Sequence, residues 1–84
     1  NNYINFFPSI FLTKEFKKIR SKFDLSQEEM AVLLELSGKA AVSNIETGYR
    51  NAGKFSAKFL RYLDSMKTDR AHKVIKEINQ FHNE

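Results

Sequence analysis

Leu25–Asn51 reads LSQEEMAVLLELSGKAAVSNIETGYRN. It opens with the clearest helix-start signal in the chain. Ser26 is an N-cap residue and Glu29 follows three positions later, which is the spacing of a capping box. Leu25 and Met30 are placed for a hydrophobic staple. Met30, Ala31, Leu33 and Leu34 then give a buried face, so a helix is expected from Ser26 to about Leu36. Ala31 is small and lets a second helix cross closely. Ser37-Gly38-Lys39 is the expected turn. Ala40–Thr47 reads as the next helix, with Ala41, Val42 and Ile45 inward and Gly48 ending it as a C′ glycine.

The outward positions around that helix are Lys39, Ala40, Ser43, Asn44 and Thr47. An ordinary solvated face is richer in Glu and Lys. Short side chains with an amide among them are what contact in a DNA major groove requires.

Working outward, Leu12, Phe16, Ile19 and Phe23 recur at helical spacing, with Lys14, Lys17, Lys18 and Lys22 on the other faces. A helix is expected over Thr13–Lys22, with Thr13 as N-cap and Glu15 in the first turn, where a carboxylate suits the helix dipole. After the loop Tyr49–Lys54, the stripe Phe55, Phe59, Leu60, Leu63 and Met66 predicts a helix from Phe55 or Ser56 to Met66. Thr68 or Asp69 is expected to cap a last helix with the stripe Ala71, Val74, Ile75, Ile78 and Phe81. The expected fold class is therefore all-α, a compact bundle of about five helices in a single domain over 1–84. Within it, 13–66 is the core unit and 67–84 a C-terminal amphipathic helix.

The stretch 1–12, NNYINFFPSIFL, is an aromatic arm, with Tyr3, Phe6, Phe7 and Phe11. Pro8 prevents one continuous helix there. Two roles stay open for the arm: packing on the domain's own core, or docking a second subunit or another protein.

The chain of 84 residues has no Cys, which excludes disulfides and thiolate metal sites and fits a reducing, cytoplasmic setting. Its longest apolar run is far short of a membrane span. The net charge of +4 is unevenly spread. Lys14–Lys22 carries five basic residues against one acid, Asp24–Leu36 four acids and no base, and Ser37–Leu63 five basic residues against one acid. Two basic blocks around an acidic helix match the electrostatic footprint of nucleic-acid binding. Catalysis has little support. His72 and His82 belong to no metal-ligand pattern, Glu28 and Glu29 point to different sides of a helix, and there is no Gly-rich phosphate loop or nucleophile elbow. No enzyme activity and no cofactor are expected.

Leu25-Ser26-Gln27-Glu28-Glu29-Met30-Ala31, then Val42-Ser43-Asn44-Ile45-Glu46-Thr47-Gly48, then Arg50-Asn51, resembles the lambda-repressor-like (Cro/CI, XRE-type) helix-turn-helix family. The resemblance covers about Thr13 to Met66. It implies a transcriptional repressor or regulator of phage or bacterial type that binds a double-stranded DNA operator, as a homodimer on two half-sites. Helix 39–47 is then the recognition helix, with Lys39, Ala40, Ser43 and Asn44 at base-reading positions. Gln27, Tyr49, Arg50, Asn51 and Lys54 are implied phosphate contacts, and Arg20 and Glu46 an ion pair tying the first helix to the end of the third. The chain departs from the family at Glu35, where Gly is usual, and carries one extra residue between Ala31 and Val42. Gly38 is expected to take over the turn-forming role. The alternative function is a protein-interaction module of the same fold, an antitoxin, anti-repressor or repressor modulator. It would act through Tyr3–Phe11 or the stripe Ala71–Phe81.

Overall fold

A computed structural model describes residues 13–81, all-α, with five helices and no strand among them. The aromatic arm 1–12 and the residues 82–84 lie outside the described residues. The helices are α1 Thr13–Lys22, α2 Gln27–Leu34, α3 Lys39–Glu46, α4 Lys54–Asp64 and α5 Thr68–Asn79. No helix among the described residues is long and apolar enough to cross a membrane.

The expected core positions close around one centre. Phe16, Ile19 and Phe23 from the α1 segment, Met30, Ala31 and Leu33 from α2, Val42 and Ile45 from α3, Leu60 and Leu63 from α4, and Ala71 and Ile75 from α5 form one buried cluster. Ala31 is buried, and α2 packs more extensively on α3 than any other pair of helices does. Every element spends an apolar stripe on this centre, because a ten-residue helix is marginal in water without tertiary packing.

Helix starts differ in how they are capped. The capping box of α2 is complete: Ser26 Oγ accepts from Glu29 N–H at 3.0 Å, and Glu29 Oε1 accepts from Ser26 N–H at 2.8 Å. Thr13, expected as a cap, is already helical. α5 begins at Thr68 after Lys67, with no side-chain cap, so neither Thr68 nor Asp69 plays the expected part.

Three successive helix ends share one device. α1 closes at Asp24 (φ +57°) with Leu25 N–H bonded to Arg20 O at 3.1 Å. α2 closes at Glu35 (φ +58°) with Leu36 N–H on Ala31 O at 2.8 Å. α3 closes at Gly48 (φ +85°) with Tyr49 N–H on Asn44 O at 2.8 Å. A left-handed residue followed by this long backward bond is a Schellman stop. The expectation for the α2–α3 turn is corrected here. Gly38 lies at φ 162°, extended backbone open to any residue, and Glu35 itself takes the left-handed position. The helix accordingly ends at Leu34, two residues before the expected Leu36.

Two apolar stripes are less buried than their periodicity predicts. Phe55, expected in the α4 stripe, is 76% exposed, while Ala57 is buried instead. α4 starts at Lys54, which turns Phe55 outward beside Phe59, with ring centroids 6.3 Å apart and nearly parallel planes. At the end of α5 the stripe leaves the bundle, with Ile78 partly exposed and Phe81 almost fully so.

Candidate nucleic-acid interface

The outer side of α3 carries the residues singled out by the sequence. Lys39, Ala40 and Asn44 are exposed and Ser43 is half-buried. Ala41, Val42 and Ile45 turn inward, so the opposite side of this short helix has to face out. Among the described residues, the side chains of Lys39, Ser43 and Asn44 make no hydrogen bond or ion pair within the protein. Ser43 and Asn44 are short and polar, and Lys39, at the start of the helix, is the one long side chain among them.

At the far end of α3, the Schellman stop folds the loop back on the helix. Tyr49 N–H and Arg50 N–H both donate to Asn44 O, at 2.8 and 3.2 Å. Tyr49, Arg50 and Asn51 are exposed, Tyr49 at 83%. Gly48 has the backbone that favours glycine, and a Cβ there would meet only Thr13 Cγ2 at ordinary contact distance, 3.5 Å. Its demand is thus conformational rather than steric. Lys54 is exposed in the first turn of α4 and makes no hydrogen bond or ion pair to the other candidate residues.

Gln27 is the first residue of α2. The N–H groups of the first helical turn have no intrahelical acceptor, and they favour an anion there. The Gln27 side chain is half-buried and its amide Nε2–H donates to Glu46 Oε1 at 3.1 Å. Glu46 ends α3, so this bond joins the start of one helix to the end of the next.

Glu46 is also the partner of Arg20. Arg20 Nε donates to Glu46 Oε2 and Nη2 to Glu46 Oε1 at 3.1 Å, a bidentate pair. Arg20 Nη1 donates further to Leu25 O at 2.9 Å, just before α2 begins. The side chains are 16% and 6% exposed. Burial pushes the Glu46 carboxyl up. The hydrogen bonds from Arg20 and Gln27 and the charges of Arg20 and Lys17 outweigh it, so its pKa lies below the ordinary value. The helical spacing places Lys17 only on the side of α1 away from its apolar stripe. Its place three residues before Arg20, on the same side of α1, is the signal for its role here.

Two further ion pairs lie along α4. Arg61 Nε donates to Glu15 Oε2 at 3.0 Å, and Lys22 Nζ to Asp64 Oδ1 at 2.7 Å. The hydrogen bond to Glu15, aided by the Glu15 charge and opposed by burial, holds the Arg61 guanidinium above its ordinary pKa. His72 Nε2 lies 2.9 Å from Phe23 O, where it donates, and its ring meets Phe23 edge-on. Among the described residues, no group of three or more His, Asp or Glu side chains converges as metal ligands would.

A search of family models, curated proteins and solved structures finds no match to this chain.

Proposed function

We propose that the protein is a sequence-specific binder of double-stranded DNA, a transcriptional regulator of the lambda-repressor-like helix-turn-helix family. It acts in the cytoplasm as a repressor or other regulator of transcription, with α3 in the major groove. One observation carries the reading: on the outer side of α3, Lys39, Ala40 and Asn44 are exposed and Ser43 half-buried, the polar side chains among them are unengaged, and Gln27 at the start of α2 and Arg50 in the following loop flank them. Phosphate contacts supply affinity and register, while base contacts supply specificity. Gln27, Tyr49, Arg50, Asn51 and Lys54 are the phosphate contacts in this reading. Asn44 bridges the N6 and N7 edge of adenine, Lys39 donates to guanine O6 or N7, and Ala40 meets a thymine methyl.

The division into clamp and reader is testable by binding assays on random and selected duplexes across salt. Arg50→Ala weakens binding to all sequences alike and reduces the slope of log affinity against log salt by about 1. Asn44→Ala relaxes preference at one base pair, by about 1–3 kcal/mol of discrimination. If both changes behave identically, the division fails.

A single domain of this size makes limited specific contact, and the protein is expected to bind as a homodimer. Sedimentation with and without a selected site tests this, and a monomer on an isolated half-site overturns it.

A specific observation also supports the second reading, a protein-interaction module. Leu33, Leu34, Phe55, Phe59 and Ile78 line an apolar groove of ≈ 280 Å³, with Phe81 exposed at the end of the α5 segment. Absence of duplex binding at low salt would favour this reading over the first.

A further inference from the structure

We propose that Glu46 is a positioning residue for DNA binding: by accepting one N–H of the Gln27 amide, it turns the other toward a backbone phosphate. This rests on the duplex-binding reading above. A primary amide carries two donors on nitrogen and an acceptor oxygen, and a phosphate can take only a donor. An unrestrained Gln27 would present its oxygen or its nitrogen outward. The bond from Nε2 to Glu46 Oε1, 3.1 Å long, decides between them. A carboxylate accepts and cannot donate, so a flipped amide would set oxygen against oxygen.

Arg20 makes this arrangement compatible with a nearby phosphate. Its guanidinium takes both Glu46 oxygens and so offsets the negative charge that would otherwise repel the DNA. It also bonds Leu25 O, two residues before Gln27, which fixes the backbone from which the amide projects. Glu46 itself lies three residues before Tyr49. One part-buried carboxylate thus holds the contact at the start of α2 in register with the loop after α3.

Glu46→Gln separates positioning from charge. It keeps the size of the side chain, but its own amide directs oxygen to Arg20 and N–H to Gln27, which favours the flipped Gln27. The change also removes a negative charge, which by electrostatics alone tightens DNA binding.

Affinity for a mixed-sequence duplex is measured at low salt by fluorescence anisotropy for the wild type, Gln27→Ala, Glu46→Gln and the double variant. Each single change is expected to weaken binding about tenfold, as loss of one charge-assisted hydrogen bond does. The double variant should bind no more weakly than Gln27→Ala. Equal losses from Glu46→Gln in both backgrounds, or no loss, overturn the proposal while leaving duplex binding intact. A wild type that does not bind duplex overturns the DNA-binding reading and this inference with it. A second measurement needs no variant. The two Gln27 side-chain amide protons are followed by NMR as duplex is added. One should shift while the proton bonded to Glu46 holds; equal shifts, or none, overturn the proposal.

Discussion

The α1–α3 half and the α4–α5 half are held by opposite means. In the first, one nearly buried carboxylate gathers Arg20 and Gln27, and three short helices end in the same left-handed stop. In the second, the helices are longer, and α4 is tied back to α1 by ion pairs, Arg61–Glu15 and Lys22–Asp64, that are open to water, with side chains 30–39% exposed. The same chemistry carries different weight in the two places. Water screens an exposed pair to roughly 0–1 kcal/mol. Removing one member of a fully buried pair costs about 3–5 kcal/mol, and the part-buried Arg20–Glu46 pair lies between these limits.

The largest break in this contrast is Arg20→Ala. It should lower unfolding stability by about 1.5–3 kcal/mol, measured in denaturant at neutral pH, because the charged, part-buried Glu46 loses its bidentate partner. The loss depends on pH in a defined sense. The folded Glu46 pKa lies below its ordinary 4.5, so the pair's contribution is complete above that value. It disappears as pH falls through the lower folded value. The gap between wild type and Arg20→Ala should therefore narrow below pH 4.5.

The helix stops make the next test, since two of them ask the same backbone of different residues. Gly48→Ala forces a side chain into the left-handed region and should cost about 1–2 kcal/mol. Glu35→Gly relieves that strain and should stabilise by about 0.5 kcal/mol, the gain being reduced by glycine's greater freedom when unfolded. Asp24 needs no such change, because Asp tolerates this conformation. A cost at Gly48 with a smaller gain at Glu35 would show that conformation sets both; a destabilised Glu35→Gly would show that contacts of Glu35 outweigh its strain.

The smallest effects belong to the exposed pairs. Glu15→Gln and Asp64→Asn should each cost less than about 1 kcal/mol, and the cost should vanish in 1 M salt. A loss at either site as large as that of Arg20→Ala would erase the distinction between the halves.

Much of this fold was legible locally. Capping signals and a period near 3.6 act within one or two turns, so Ser26, Glu29, Gly48 and the stripes of α1 to α3 could be read directly. Periodicity carries no information on how far a stripe extends into the bundle, and Phe55, Ile78 and Phe81 were misplaced for that reason. The candidate site divides in the same way. Asn44, Ser43 and Arg50 follow from the outward side of one helix and its loop. The bond from Gln27 to Glu46 spans nineteen positions, and no local rule links an amide to that carboxylate.

By itself, then, the amino-acid sequence determined an all-helical chain, the start of α2, the end of α3 and the polar character of the face between them, because these depend on neighbours along the backbone. Only the tertiary structure decided which residue turns the chain between α2 and α3. It also decided which aromatics reach the core, and which way the Gln27 amide points. Those outcomes depend on how helices distant in sequence pack, and on the partial burial their packing gives Arg20 and Glu46.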